Sequence, residues 1–193
     1  MPAATHPPLR PGRVYRTRDL ASWGANAPRL ARRLVREGVL VPLAQGLFAR
    51  PRVGRFGPVP PSDEELMRAF LGGSSFVFTG PSRWNALGLG TTAHFARPLV
   101  YNTKRSGTFE LGGRRFMLRR VAFPPCPGPE WFVVDLFENA GQAATSPEAL
   151  VQPLIQALRD GRFDPERLRR AAERYGTRAT RDRVAAALAA VGA

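Results

Sequence analysis

Between Asn26 and Gly38 the chain spells out a helix with both ends marked, and this segment restricts its possible folds more than any other. Asn26 is an N-cap residue type, Pro28 suits the first turn, and Gly38 supplies a left-handed stop after Arg29–Glu37. Advancing about 100° per residue, Arg29, Arg32, Arg33 and Arg36 fall inside an arc of roughly 100°, while Leu30, Ala31, Leu34 and Val35 take the other side. One face is core and the other is cationic.

The flanks extend the pattern. Val14–Arg16 is strand-like, and Thr17 is expected to cap a short helix through Trp23 that Gly24 stops. After the basic helix, Val39–Leu43 and Leu47–Arg50 read as strands joined by Ala44-Gln45-Gly46, a hairpin. Helix, tight turn, basic helix, hairpin is the order of a winged helix-turn-helix, whose second helix enters the DNA major groove. Leu20, Trp23, Leu30, Leu34, Val39, Leu43 and Phe48 are its expected core. In such a module Arg29, Arg32, Arg33 and Arg36 would contact phosphates or guanine edges, and Asn26 a base or a phosphate. Arg16, Arg18, Arg50, Arg52 and Arg55 lie outside the helix and suit backbone contacts or a minor-groove arm. The competing reading is an amphipathic helix whose solvated face happens to be rich in arginine.

Charge distribution weighs on that choice. The chain of 193 residues carries a formal charge of +14 and a pI near 11.6, which suggests a polyanionic partner. Residues 1–61 hold eleven arginines against Asp19 and Glu37, whereas the remaining two-thirds is close to balanced. Arginine in place of lysine is also what a GC-rich genome produces; the local excess of one sign is not. No apolar run is long enough to span a membrane and the start lacks a signal-peptide core, so a cytoplasmic protein is expected. Cys126, His6 and His94 are too few soft ligands for a structural zinc site, and neither metal nor cofactor is expected.

Five segments follow: a disordered or extended start (1–11), the winged module (12–51), a linker (52–61), an α+β domain (62–145) and a helical C-terminal part (146–193). The first joint is marked by RPRVGRFGPVPP (Arg50–Pro61), where Pro, Gly and Arg alternate without helical or strand period. Ser62 and Glu65 form an expected capping box; Phe76–Thr79, Leu99–Asn102, Thr108–Leu111 and Arg114–Val121 read as strands, the last two joined by Gly112-Gly113. The second joint falls around Asn139–Ser146, before amphipathic helices at 147–159, 165–175 and 180–191 whose arginines are largely matched by acids. The fold class is α+β.

The segment FVFTGPSRWNALGLGTTAHFARPLVYNTKRSGTFELGGRRFMLRRV (Phe76–Val121), after a module ending PLAQGLFARP (Pro42–Pro51), resembles the AbiEi family of antitoxins. The resemblance covers residues 12–122, carried mainly by Leu43–Pro51 and Asn85–Leu89. It implies a transcriptional repressor of a type IV toxin–antitoxin operon, active in phage defence, that binds inverted repeats in its own promoter, an operator symmetry compatible with a dimer on DNA. Its partner would be a nucleotidyltransferase toxin opposed without a stable complex. The family's DNA-binding positions fall on Asn26–Arg36, and its antitoxin activity on the part after the linker. A winged-helix regulator whose C-terminal part senses a ligand or partner, with no toxin, is the alternative.

Signals for an enzyme are sparse: a metal-dependent nuclease is the least favoured alternative, and no enzyme is expected. Asp135 and Glu138 share a helix face, but paired helical acids are usually solvent-facing or salt-bridged; the one lysine, Lys104, stands in a turn, and His94 in a loop. Thr79–Ser82 lacks the Gly-Lys-Ser/Thr of a phosphate loop, Ser82 lacks a His/Asp pair, and Cys126 between prolines reads as an inert loop thiol.

Overall fold

A computed structural model describes residues 7–92 and 97–192. The chain is of mixed α and β structure with small sheets and a helical C-terminal part. In chain order come β1 (Val14–Arg16), a 3₁₀ helix (Thr17–Trp23), α1 (Ala27–Arg36), β2 (Val41–Ala44) and β3 (Leu47–Ala49). β4 (Arg52–Gly54), β5 (Gly57–Val59), α2 (Asp63–Phe70), β6 (Phe76–Thr79) and α3 (Pro81–Asn85) follow. The rest is β7 (Leu99–Asn102), β8 (Gly107–Leu111), β9 (Arg114–Arg120), α4 (Pro129–Glu138), a second 3₁₀ helix (Ala140–Ala143), α5 (Val151–Arg159), α6 (Pro165–Tyr175) and α7 (Arg178–Ala189). Among the described residues no helix is long and apolar enough to cross a membrane.

The chain divides into two compact units, residues 1–76 with 108–116, and 77–107 with 117–193. In the first, β1, β3 and β2 form an antiparallel sheet in that order, Tyr15 opposite Phe48 and Phe48 opposite Pro42. Leu20, Leu30, Ala31, Leu34 and Leu40 pack under it with Tyr15 and Val39. Leu9 joins this core and the Arg10 amide donates to the Tyr15 hydroxyl at 2.7 Å, so part of the start is tied down; residues 1–6 lie outside the described residues. Trp23, expected in the core, is 38% exposed and lies edge-on to Tyr15. The segment before it is a 3₁₀ helix entered at Arg16, whose amide donates to Asp19, rather than a helix capped by Thr17.

Residues 52–59 are a two-stranded hairpin, Arg52 opposite Val59, where the sequence reads as a linker. Val53 and Phe56 are 92% and 97% exposed, so no buried face imposes the alternation by which strands are recognised. Nor does the first unit stop there. Ser62 caps α2 by accepting from the Glu65 amide, but Glu65 does not complete a capping box: its carboxylate accepts from the Val14 amide at 3.1 Å and pairs with Arg68. The β8–β9 turn is drawn into the same unit. Gly112 and Gly113 both have positive φ, as a two-residue hairpin turn requires, and the Gly112 amide donates to the Leu43 carbonyl at 2.8 Å. Arg114 pairs with Asp63 and donates to the Pro61 carbonyl, and Phe109 packs on Phe70.

In the second unit β6 lies beside β7, which runs parallel to β9 with Val100 opposite Leu118. Helices α4 to α7 bury Trp131, Val133, Leu136, Leu154, Leu168, Val184 and Leu188 with Trp84 and Leu99. Asn139–Ser146, expected as a joint, is a corner inside this unit: Ala140 and Ala143 are buried and Ala144 takes the left-handed conformation. Four of the C-terminal arginines are matched by acids, Arg167 with Asp164, Arg169 with Glu166, Arg178 with Asp182 and Arg183 with Glu148, whereas Arg170 reaches the Glu166 carbonyl and Arg174 lies over the Tyr175 ring.

Candidate nucleic-acid interface

α1 begins and ends where its sequence says. Asn26 Oδ1 accepts from the Arg29 amide at 3.0 Å, and Gly38 at φ +70° turns the chain toward β2. Ala27, Leu30, Ala31 and Leu34 are buried; Arg29, Arg32, Arg33 and Arg36 are exposed. Replacing Asn26 with alanine is expected to cost about 1 kcal/mol, read as a lower urea midpoint at unchanged slope.

The four guanidiniums stand close together at a cost. Arg29 and Arg33, and Arg32 and Arg36, are four apart on one helix, where like charges oppose each other by about 0.2–0.5 kcal/mol per pair. Arg29 also sits in the first turn, where the helix dipole disfavours a cation. Relief is slight: Glu37 lies 4.0 Å from Arg33 with both side chains well solvated, and among the described residues no carboxylate pairs with Arg29, Arg32 or Arg36. Arg32 reaches back only to the Pro28 carbonyl, at 3.4 Å.

A cleft runs along each flank of the helix. One of 640 Å³ is lined by Arg29, Arg32, Val35, Arg36, Pro42 and Phe48, against the β2–β3 hairpin. The other, 380 Å³, is lined by Trp23, Gly24, Asn26, Arg29, Leu30, Arg33 and Arg36. The helix is thus a cationic ridge with open space on both sides, a shape that a groove with phosphates along both edges can straddle.

The remaining basic candidates differ in position. Arg18 is exposed beside Asp19, Arg16 is half-buried at the end of β1, and Arg52 lies over Gly12. Arg55 caps the β4–β5 tip, 5.7 Å from the Phe56 ring. Arg50 is turned inward: its Nη1 donates to the Val39 carbonyl at 3.1 Å, tying the segment between α1 and β2 to the end of β3, while its Nε is buried without a partner among the described residues.

The acids weighed for catalysis part company. Asp135 is 4% exposed instead of facing solvent, and accepts hydrogen bonds from Thr79 Oγ1, Trp84 Nε1 (2.8 Å) and Asn139 Nδ2 (3.0 Å). The surrounding run, Trp131–Phe137, is apolar on every side of α4, and a carboxylate inside such a run was the one signal of its burial. Burial pushes the Asp135 carboxyl above its ordinary range, against the pull of Thr79, Trp84, Tyr101 and Arg119, and pushes the Tyr101 phenol up likewise. Glu138, three residues on, is exposed and accepts from the amide and hydroxyl of Thr177. Asn139, which sequence reading passed over, links the set by donating to Tyr101 and accepting from Arg119. Cys126 is exposed and His94 lies outside the described residues; among those described, no three His, Cys, Asp or Glu side chains are grouped to hold a metal ion.

No protein-family model and no curated protein matches the chain. Among solved structures it is similar to the crystal structure of the RV2827C protein from Mycobacterium tuberculosis, with 18% identity and a TM-score of 0.57 over 93% of this chain and 72% of that one. At that identity the likeness is one of fold.

Proposed function

We propose that residues 12–51 are a winged helix-turn-helix that binds duplex DNA, and that the chain is a transcriptional repressor serving as the antitoxin of an AbiEi-type operon. The observation that carries the DNA reading is α1: four arginines on one exposed face, three without a carboxylate partner among the described residues, between two open clefts. The element order supports it, because a β1-β3-β2 sheet backing a short helix, a turn and a basic helix is the arrangement of that module. Arg29, Arg32, Arg33 and Arg36 then take phosphates or guanine edges. Asn26, its oxygen engaged in the cap, offers its amide nitrogen. Arg52 and Arg55 serve the backbone, while Arg50 holds the module together.

The antitoxin role rests on the resemblance of Leu43–Pro51 and Phe76–Val121, with a nucleotidyltransferase toxin as functional partner and inverted repeats as operator. Two measurements test the proposal. Affinity for the DNA upstream of its own gene should fall with salt at a slope of about −3 or steeper in log K against log concentration, as expected for four or more phosphate contacts. A flat salt response would remove the DNA reading. Co-expression should relieve the toxicity of a nucleotidyltransferase encoded next to it; DNA binding without such relief would leave a repressor that is not an antitoxin.

A further inference from the structure

The second unit contains a cleft of 470 Å³ in which two arginines meet an apolar wall. Arg83 from α3 and Arg162 from the α5–α6 turn line it together with Leu87, Pro127, Phe132 and Phe163. The volume lies within the range of small-molecule sites. Elsewhere in this unit Arg167, Arg169, Arg178 and Arg183 pair with acids. These two do not: among the described residues neither guanidinium has a carboxylate partner, and Arg83 makes no side-chain hydrogen bond or ion pair.

Both cations are nevertheless held in position. The Arg83 guanidinium lies 5.6 Å from the centre of the Phe132 ring, and that of Arg162 lies 5.9 Å from the centre of Phe163, a buried ring. Arg162 Nη1 donates to the Leu87 carbonyl at 3.1 Å. Its approach leaves no room beside it, since a Cβ on Gly88, at φ +66°, would stand 2.7 Å from that nitrogen. The nearby acids are otherwise occupied. Glu130 is buried and accepts from the Asp164 amide, while Asp164 caps α6 by accepting from the Arg167 amide. The Trp84 indole bonded to Asp135 ties α3 to α4, which carry Arg83 and Phe132.

We propose that this cleft binds a small planar organic anion, its carboxylate or phosphate held between Arg83 and Arg162 and its ring against Phe132. Guanidinium forks recognise both anions through paired charge-assisted hydrogen bonds, and the phenylalanine and proline walls suit a flat apolar ring. A site so placed lies wholly within the second unit and does not depend on the DNA reading.

Isothermal titration of the full chain with adenosine 5′-monophosphate, 2-naphthoate, inorganic phosphate and adenosine tests it. The first two separate a phosphate source from a carboxylate source; the last two supply the anion or the ring alone. At least one ring-bearing anion should bind about tenfold more tightly than phosphate or adenosine, and Arg83→Gln and Arg162→Gln should each weaken it by about tenfold or more. Arg162→Gln loses the Leu87 bond and risks the local fold, so Arg83→Gln, which breaks no hydrogen bond, decides. The proposal is overturned if neither ring-bearing anion binds at about 1 mM, if phosphate alone binds as well, or if Arg83→Gln leaves the affinity unchanged.

Discussion

Replacing Arg29, Arg32, Arg33 and Arg36 together with alanine is expected to weaken binding to upstream duplex DNA by at least about 100-fold at near-physiological salt. Each lost phosphate contact forgoes a released counterion, and each lost guanine contact forgoes about 1–3 kcal/mol. The fold should survive. All four side chains are exposed, alanine is the better helix former, and removing four crowded like charges relieves α1. Thermal stability should therefore stay within about 0.5 kcal/mol per site of the parent. Arg50→Ala should show the opposite pattern: losing its half-buried bond to the Val39 carbonyl costs about 1–2 kcal/mol of stability and affects DNA affinity little. Gel-shift titrations paired with urea unfolding separate the two. If the quadruple variant binds as the parent does, α1 is a solvated face and no more.

The second large effect belongs to Asp135. Truncation to alanine leaves Thr79 Oγ1, Trp84 Nε1 and Asn139 Nδ2 without their acceptor inside a packed core. With each stranded donor costing about 1–3 kcal/mol, a loss of about 3 kcal/mol or more is expected, read from the urea midpoint and from tryptophan fluorescence. Asp135→Asn keeps the volume but turns a donor toward one of three donors, so a smaller loss follows. Acidity adds a signature. Burial raises the native carboxyl above the ordinary value of 3.8 that it has when unfolded, so the folded state binds its proton more tightly. The stability it contributes is complete below pH 3.8 and is lost as pH rises through the higher native value. The parent should thus gain on Asp135→Asn as pH falls from 7 toward 4, and a difference independent of pH would mean that Asp135 titrates normally.

Local signals in the sequence carried α1 completely: cap, apolar face and glycine stop are short-range features, and each stands where the spelling puts it. The Gly112-Gly113 turn was legible for the same reason. What could not be read depended on distant partners. Glu65, three residues after Ser62, looks like half of a local cap, yet the Val14 amide, fifty-one residues away, claims its carboxylate. Arg50 resembles its basic neighbours in sequence and differs from them only because the Val39 carbonyl lies within reach. Asp135 shares a helix face with Glu138, but the donors that hold it inside come from α3, from the end of β6 and from Asn139 one turn on. The β4–β5 hairpin has no buried face and so offered no periodicity to find.

The first unit is not one stretch of chain. Residues 108–116 come back to it across an interval of thirty-one residues that belongs to the other unit, and Gly112, Arg114 and Phe109 fasten them to Leu43, to Asp63 and Pro61, and to Phe70. A gene fragment ending at Phe76 would carry the arginine helix but leave those attachment points bare. No single recombination point can therefore lift the arginine-bearing unit out whole: a transplant that keeps residues 108–116 must also carry the thirty-one residues of the other unit that precede them.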